Sequence, residues 1–121
     1  MCGIAGIFNV NGAPVPIGVL RAMTDIVKHR GPDGEGFWTG GFVGFGHRRL
    51  AIVDLSELGH QPMRSTDGSL VLTYNGEIYN WRELRKQLER KGSIFRSQSD
   101  TEVILEAYRV WGPKCVEKFN G

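Results

Sequence analysis

Cys2 is the residue whose type and position are best suited to chemistry. Removal of the initiator methionine would make Cys2 the first residue of the chain, with a free α-amine beside its thiol. The thiolate is the reactive form of cysteine, and an α-amine titrates at about pH 8, close enough to neutrality to accept a proton. One residue would then hold both a nucleophile and its base. The alternative interpretation is a small apolar side chain at a chain end.

Asn75 and Gly76 form a second candidate, a pair of hydrogen-bond donors for an oxyanion. Acyl transfer needs donors directed at the developing negative charge, and a glycine N–H can approach it without interference from a side chain. The Asn75 side-chain amide would supply the other donor. An Asn-Gly pair is more often a hairpin turn, but residues 77–80 lead into a predicted helix and not into a returning strand.

Three charged residues could bind oppositely charged groups of a ligand. Neighbouring residues of a strand point to opposite faces, so at most one of Arg48 and Arg49 can line a given pocket. If Arg49 points inward, its guanidinium could bind a carboxylate through two hydrogen bonds; a solvated arginine pair is the alternative. Glu77 and Asp100 could bind an ammonium group, or they could be a solvated turn carboxylate and a helix N-cap.

Metal and phosphate sites are not expected. The three histidines, His29, His47 and His60, are too scattered to provide a ligand pair at helical spacing. The glycine-rich stretch 31–36 lacks the Gly-Lys-Ser/Thr ending of a phosphate-binding loop. Cys115 lies in an apolar stretch and is predicted to be a core residue; with Cys2 it makes neither a disulfide framework nor a zinc motif.

The composition is typical of one globular domain. The chain has 121 residues, 40% hydrophobic and 23% charged, and its net charge of +2 is too small to indicate nucleic-acid binding. It contains no apolar run long enough for a membrane helix, and the N-terminus lacks the basic segment of a signal peptide. With only two cysteines, a reducing, cytoplasmic location is expected.

An α+β framework is expected to position these residues. Strands that follow one another closely in sequence favour antiparallel sheets, with helices on the outside. Alternating, β-branched and apolar residues bounded by turn signals predict six short strands, at residues 3–9, 37–39, 43–47, 50–53, 70–74 and 94–95. The glycines at 40–41 are expected to form the turn between the second strand and the third.

Three helices are predicted as well. The first has apolar residues at helical spacing over 17–27. The second begins at Asn80, with a glutamate three residues later as in a capping box, and ends at Gly92. The third is expected to be capped by Asp100 and to stop at 112–113, a Gly-Pro pair.

Six segments of this sequence, taken in order, resemble the glutaminase domain of glutamine-dependent asparagine synthetases. They include Cys-Gly-Ile at the N-terminus, His-Arg-Gly-Pro-Asp-Gly, Arg-Leu-Ala-Ile-Val-Asp and Asn-Gly-Glu-Ile-Tyr-Asn. The segments are residues 1–8, 29–34, 47–54, 59–63, 74–80 and 99–104. The Arg-Leu-Ala-Ile-Val-Asp-Leu stretch distinguishes the chain from the related domains of glucosamine-phosphate synthases and purine amidotransferases.

The resemblance implies a class II glutamine amidotransferase with an N-terminal nucleophile. The implied fold is a four-layer α/β/β/α sandwich with mainly antiparallel sheets, incomplete within residues 1–121. These residues would be the N-terminal part of that domain, and the synthetase domain, with its ATP and magnesium, would be absent. No cofactor or metal is therefore expected in this chain. An open sheet edge would favour a homodimer.

The resemblance also implies a role for each candidate residue. Cys2 would attack the side-chain carboxamide of glutamine, and Asn75 and Gly76 would stabilise the oxyanion. Arg49 would hold the α-carboxylate of the substrate, and Glu77 and Asp100 would hold its α-amino group. The pocket would be lined by Leu50, Ala51, Ile52 and Val53.

The implied reaction is hydrolysis of L-glutamine to glutamate and ammonia through a thioester on Cys2. The ammonia would be supplied to ATP-dependent asparagine synthesis in the parent enzyme. Two alternatives remain open. The domain could serve a different amidotransferase acceptor, or the chain could be an inactive fragment that binds glutamine or another protein.

Overall fold

The computed structural model of the chain describes residues 1–51 and 56–121, and these form two compact units. Of the described residues, 1–51, 60–62 and 73–75 make up the first unit. The second unit contains 56–59, 63–72 and 76–121. In the described part of the chain, no helix has both the length and the apolar character needed to cross a membrane.

The first unit is built on a three-stranded antiparallel sheet. Its strands are β1 (Gly3–Phe8), β2 (Gly34–Gly40) and β3 (Val43–Arg49), in the order β1-β3-β2. The central position therefore belongs to β3, and Gly3 of β1 lies opposite Arg48. The predicted strands near these positions are confirmed, but β2 begins three residues earlier than expected and β3 ends two residues later.

A helix covers one face of this sheet. It is α1 (Ile17–Ile26), and its fully buried residues Leu20 and Thr24 face β3. A Cβ atom built at Gly46 would lie 2.0 Å from Thr24 Oγ1, so only a glycine lets the helix approach this closely. A short 3₁₀ helix, Lys28–Arg30, follows α1 and ends at Gly31.

The second unit combines a short hairpin with two helices. The hairpin pairs β4 (Met63–Arg64) with β5 (Val71–Leu72), and the helices are α2 (Trp81–Arg90) and α3 (Asp100–Trp111). Two 3₁₀ helices complete the unit, Glu57–Gly59 before the hairpin and Gly112–Lys118 after α3. Its buried apolar side chains are Met63, Ile78, Trp81, Leu84, Leu88, Val103, Leu105, Ala107 and Cys115. The prediction that Cys115 belongs to the core is confirmed.

Three of the predicted strands need correction. Leu50 and Ala51 lie outside any strand, and 52–53 fall outside the described residues. The strand predicted at 70–74 is reduced to β5, and 94–95 is not a strand. In this last segment the neighbouring backbone N–H groups of residues 96–97 donate to the Glu102 carboxylate, so they are not available for a strand ladder.

The two predicted helix caps are also wrong. Asn80 precedes α2 but makes no side-chain cap; its amide instead donates to the Lys118 carbonyl and accepts from the Asn120 N–H. Ser99, and not Asp100, caps α3, because Ser99 has the extended backbone of an N-cap and its Oγ accepts from the Thr101 N–H at 3.1 Å. For Asn80, partners distant in sequence replace the local cap, and for α3 the cap is the residue before the predicted one.

Candidate active site

The Cys2 side chain is held at the carboxyl end of the central strand. Cys2 is half-buried and lies immediately before β1, the strand that pairs with β3. The Leu50 N–H donates to Cys2 Sγ at 3.3 Å, and the thiol in turn lies 3.6 Å from the Leu50 carbonyl oxygen. The sulfur is therefore fixed by both backbone groups of the first residue after β3. This contact brings together Cys2 and Leu50, two of the predicted site residues.

The segment that follows α1 contacts the same residues, Cys2 and the end of β3. Arg30 Nε donates to the Cys2 carbonyl at 3.1 Å, and Asp33 Oδ2 accepts from the Ala51 N–H at 2.9 Å. A Cβ at Gly31 would lie 2.2 Å from the Arg48 carbonyl oxygen, so the loop packs directly on β3. Sequence reasoning did not assign Arg30 and Asp33 to the site. The signal that could have found them is the His-Arg-Gly-Pro-Asp-Gly segment, residues 29–34, in which both residues lie.

The two adjacent arginines lie on opposite faces of β3, as predicted. Arg48 is on the α1 face, where it forms ion pairs with Asp25 and with Glu35, the latter at 2.6 Å. Arg49 is on the other face. Both are buried, with exposed fractions of 7% and 8%, so the alternative of a solvated pair is wrong. Arg48 is thus used by the fold, and Arg49 is the arginine on the face away from α1.

His47 shares the Arg49 face and is completely buried. Its Nδ1 is hydrogen-bonded to Thr73 Oγ1 at 3.0 Å. Burial, together with the nearby charges of Arg49 and His60, lowers the pKa of His47 to about 4. The imidazole is therefore neutral at neutral pH. Sequence reasoning considered this histidine only as a metal ligand and missed its contact with residue 73.

Asn75 belongs to the same unit as Cys2 and Arg49. It is half-buried in the irregular segment 73–75, where the Tyr74 N–H donates to Gln61 Oε1 at 2.6 Å. A Cβ at Gly36 of β2 would lie 2.0 Å from the Gln61 carbonyl oxygen, so this glutamine packs against the sheet. Among the described residues, the first unit thus contains five predicted site residues: Cys2, Arg49, Leu50, Ala51 and Asn75.

The remaining described candidates belong to the second unit. Gly76 and Glu77 are exposed, whereas Asp100 is 5% exposed and its Oδ2 accepts from the Ile78 N–H at 2.9 Å. Asp100 therefore anchors the segment that carries Glu77. The predicted pocket residues Ile52 and Val53 lie outside the described residues.

The same segment is fixed a second time by the end of the chain. The Tyr79 N–H donates to the Asn120 carbonyl at 2.7 Å, and the Asn80 amide donates to the Lys118 carbonyl at 2.9 Å. Gly121 lies so close that a Cβ there would be 2.1 Å from the Glu77 carbonyl oxygen. The backbone of 77–80 is thus held on two sides, while the Glu77 side chain stays open to solvent.

Chemically, the first unit offers a fixed thiol, a buried guanidinium and a side-chain amide. A thiol can attack an electrophilic carbonyl carbon, a guanidinium can bind a carboxylate, and an amide can donate to an oxyanion. The second unit offers the Gly76 N–H and two carboxylates. Groups of these types take part in acyl transfer from amino-acid substrates.

Comparison with known proteins supports this chemistry. The profile of a family described as "Glutamine amidotransferase domain" matches residues 1–121. The chain is 41% identical to glutamine-hydrolyzing asparagine synthetase 1 of Bacillus subtilis (strain 168) and 43% identical to synthetase 3 of the same organism, each over 124 residues. It is 39% identical over 123 residues to the glutamine-hydrolyzing asparagine synthetase of Brassica oleracea. These alignments cover all of this chain but 20% of each relative, so the chain spans about a fifth of their length.

Proposed function

The chain belongs to the glutamine amidotransferase domain family, and on this basis we propose that it hydrolyses L-glutamine to glutamate and ammonia with Cys2 as the nucleophile. The observation that carries the proposal is the fixed position of the Cys2 thiol. Its sulfur is bound to the Leu50 backbone at the end of β3, directly after Arg49. In this proposal the nucleophile, from the residue before β1, and the carboxylate-binding group, from β3, both lie at the carboxyl end of β3.

The first half of the reaction forms a thioester. After removal of Met1, the free amine of Cys2 accepts the thiol proton, and the sulfur adds to the side-chain carboxamide carbon of glutamine. The Asn75 amide and the Gly76 N–H donate to the oxyanion of the tetrahedral intermediate. The C–N bond then breaks as the ammonium of Cys2 returns its proton to the leaving nitrogen, and ammonia departs.

The second half regenerates the enzyme. Water adds to the thioester carbonyl with the Cys2 amine as the base, and the same two donors stabilise the second oxyanion. The C–S bond breaks, the thiol recovers its proton, and glutamate leaves. The Leu50 N–H, which donates to the sulfur, supports this cycle because it keeps the thiol at one place in both steps.

Recognition of the substrate depends on opposite charges at its two ends. In this proposal Arg49 binds the α-carboxylate, and Glu77 and Asp100 bind the α-ammonium group. The proposed pocket lining is Leu50, Ala51, Ile52 and Val53. Arg49 is suited to its role because it is buried, where a charge-assisted bidentate pair is stronger than in water. Asp100 would use its Oδ1, since Oδ2 already accepts from the Ile78 N–H.

The relatives support a proposal for the wider role of the chain. We propose that residues 1–121 act as the glutamine-hydrolysing part of a larger enzyme that uses the ammonia for ATP-dependent asparagine synthesis. ATP and magnesium would be bound by a synthetase domain and not by these residues. The relatives at 39–43% identity are glutamine-hydrolyzing asparagine synthetases, which supports asparagine as the product over another acceptor.

The proposal extends to the layer architecture of the domain and to the cellular location of the protein. We propose the four-layer α/β/β/α sandwich of N-terminal-nucleophile enzymes, which the antiparallel sheets of both units and the helix on the first sheet support. A reducing cytoplasmic location is supported by two free cysteines, Cys2 and Cys115. We also propose that the chain forms a homodimer, with an open sheet edge as the pairing surface.

Replacing each of the two adjacent arginines by lysine, in separate variants, tests substrate recognition. Arg49→Lys keeps the charge but removes the planar pair of donors, so we expect KM for glutamine to rise roughly 10- to 100-fold, the equivalent of about 1.5–3 kcal/mol of hydrogen bonding to a charged group. The rate constant kcat should change little, because the α-carboxylate is bound equally in the ground state and the transition state. Glutamate release measured against glutamine concentration gives both constants.

Arg48→Lys is the matched control. Arg48 lies on the α1 face with Asp25 and Glu35, so this variant should lose thermal stability while KM stays within about twofold of the wild type. Equal KM changes in the two variants would contradict the proposed role of Arg49.

A further inference from the structure

A buried histidine connects the central strand to the segment that carries Asn75. His47 lies two residues before Arg49 on β3, and Thr73 lies two residues before Asn75. The 3.0 Å hydrogen bond between His47 Nδ1 and Thr73 Oγ1 joins them across 26 residues of sequence. All four residues belong to the first unit.

The two sides of this hydrogen bond differ in how firmly they are held. On one side, β3 is paired with β1 and with β2, so its backbone is fixed along both edges. On the other side, residues 73–75 belong to no strand. Its contacts to the rest of the unit include the Tyr74 N–H, which donates to Gln61 Oε1, and the Thr73 hydroxyl, which is hydrogen-bonded to His47.

The His47 ring is well suited to act as a fixed partner. Its side chain has no exposed surface, so water does not compete for the bond to Thr73. Among the described residues no hydrogen-bond partner is found for Nε2, so Thr73 is the polar contact that orients the ring. The lowered pKa agrees with a neutral imidazole at the pH where the enzyme would work.

We propose that His47 is a positioning residue for the reaction: through the Thr73 hydroxyl it fixes the Asn75 amide relative to the strand end that holds Cys2 and Arg49. This inference rests on the proposed function, because Asn75 matters only if an oxyanion forms. The bond does not touch the substrate. Its effect is on the position of a donor, and a donor displaced by about 1 Å can lose roughly a hundredfold in rate.

Thr73 supplies a matched pair of variants. Thr73→Val has the same shape but no hydroxyl, whereas Thr73→Ser keeps the hydroxyl. We expect kcat for glutamine hydrolysis to fall by roughly tenfold or more in Thr73→Val, with KM within about twofold of the wild type, and we expect Thr73→Ser to keep kcat within about threefold. A merely structural role would lower the amount of folded protein without separating kcat from KM.

A second pair changes the other partner. In His47→Asn the side-chain amide occupies the position of Nδ1, while in His47→Gln it extends to the position of Nε2. The asparagine variant should therefore retain more kcat than the glutamine variant, by roughly tenfold. This pair decides the question by itself if Thr73→Val does not fold.

The outcomes separate this inference from the proposed function. The positioning role alone is overturned if the wild type is active and Thr73→Val has an unchanged kcat. It is also overturned if Thr73→Val raises KM and does not lower kcat. Equal kcat in His47→Asn and His47→Gln also overturns it. If the wild type releases no glutamate from glutamine although Met1 has been removed and the Cys2 α-amine is free, the proposed function and the inference are both refuted.

Discussion

Cys2→Ala is expected to lower the rate of glutamine hydrolysis by at least roughly a thousandfold. The substitution removes the atom that forms the thioester, and the remaining groups can only orient the substrate and stabilise charge. Binding of glutamine should persist, because the charged groups proposed to hold its α-carboxylate and α-ammonium are unchanged. Glutamate release measured over hours gives the rate, and titration calorimetry gives the affinity.

Cys115→Ala is the control for this substitution. Cys115 is the other cysteine of the chain, it is 1% exposed, and burial raises the pKa of its thiol. We expect its removal to cost some stability, as for any truncated core residue, and to leave kcat within about twofold of the wild type. Substantial hydrolysis by Cys2→Ala, or equal losses in the two variants, would contradict Cys2 as the nucleophile.

Asn75→Ala is expected to lower kcat by roughly 100- to 1000-fold, the usual loss when one oxyanion donor is removed. KM should change little, since the amide interacts with charge that develops only in the transition state. Asn75→Asp is the sharper variant. It keeps the size of the side chain but replaces the donor with a negative charge, so its kcat should be no higher than that of the alanine variant. Both constants come from initial rates of glutamate release.

Asn11→Ala controls for loss of an asparagine elsewhere in the first unit. The Asn11 side chain accepts from the Ala13 N–H in an exposed turn, so its removal should not affect either constant. If Asn75→Ala raises KM and preserves kcat, Asn75 binds the substrate in its ground state, and the proposed oxyanion role is wrong.

The sequence predicts best those structural features that depend on residues close to one another in the chain. The alternation of β3 correctly places Arg48 and Arg49 on opposite faces, because successive strand residues must point in opposite directions. The order of β1, α1, β2 and β3 also follows from local patterns of apolar residues and glycines. Within this region, the prediction fails at the strand ends, where Gly34–Gly36 join β2 and residues 48–49 join β3.

What the sequence does not predict depends on contacts between distant segments. Asp100 and Asn80 both have the residue type of a helix cap, but their partners are Ile78 and the segment 118–120. His47 likewise gains its role from Thr73, and Arg30 from the carbonyl of Cys2. Capping rules compare residues within about one helical turn, so they cannot anticipate a competing partner 20 or more residues away.

The central claim is that glutamine is attacked by the sulfur of a chain that begins at Cys2. The most direct measurement treats the purified protein with a glutamine-analogue electrophile and locates the adduct by mass spectrometry of the intact chain and of its peptides. We predict a chain without Met1 that carries one adduct on Cys2 and none on Cys115, with labelling slowed by excess glutamine. A labelled Cys115 with an unmodified Cys2, or glutamine turnover at the full rate by a chain that retains Met1, would contradict the claim.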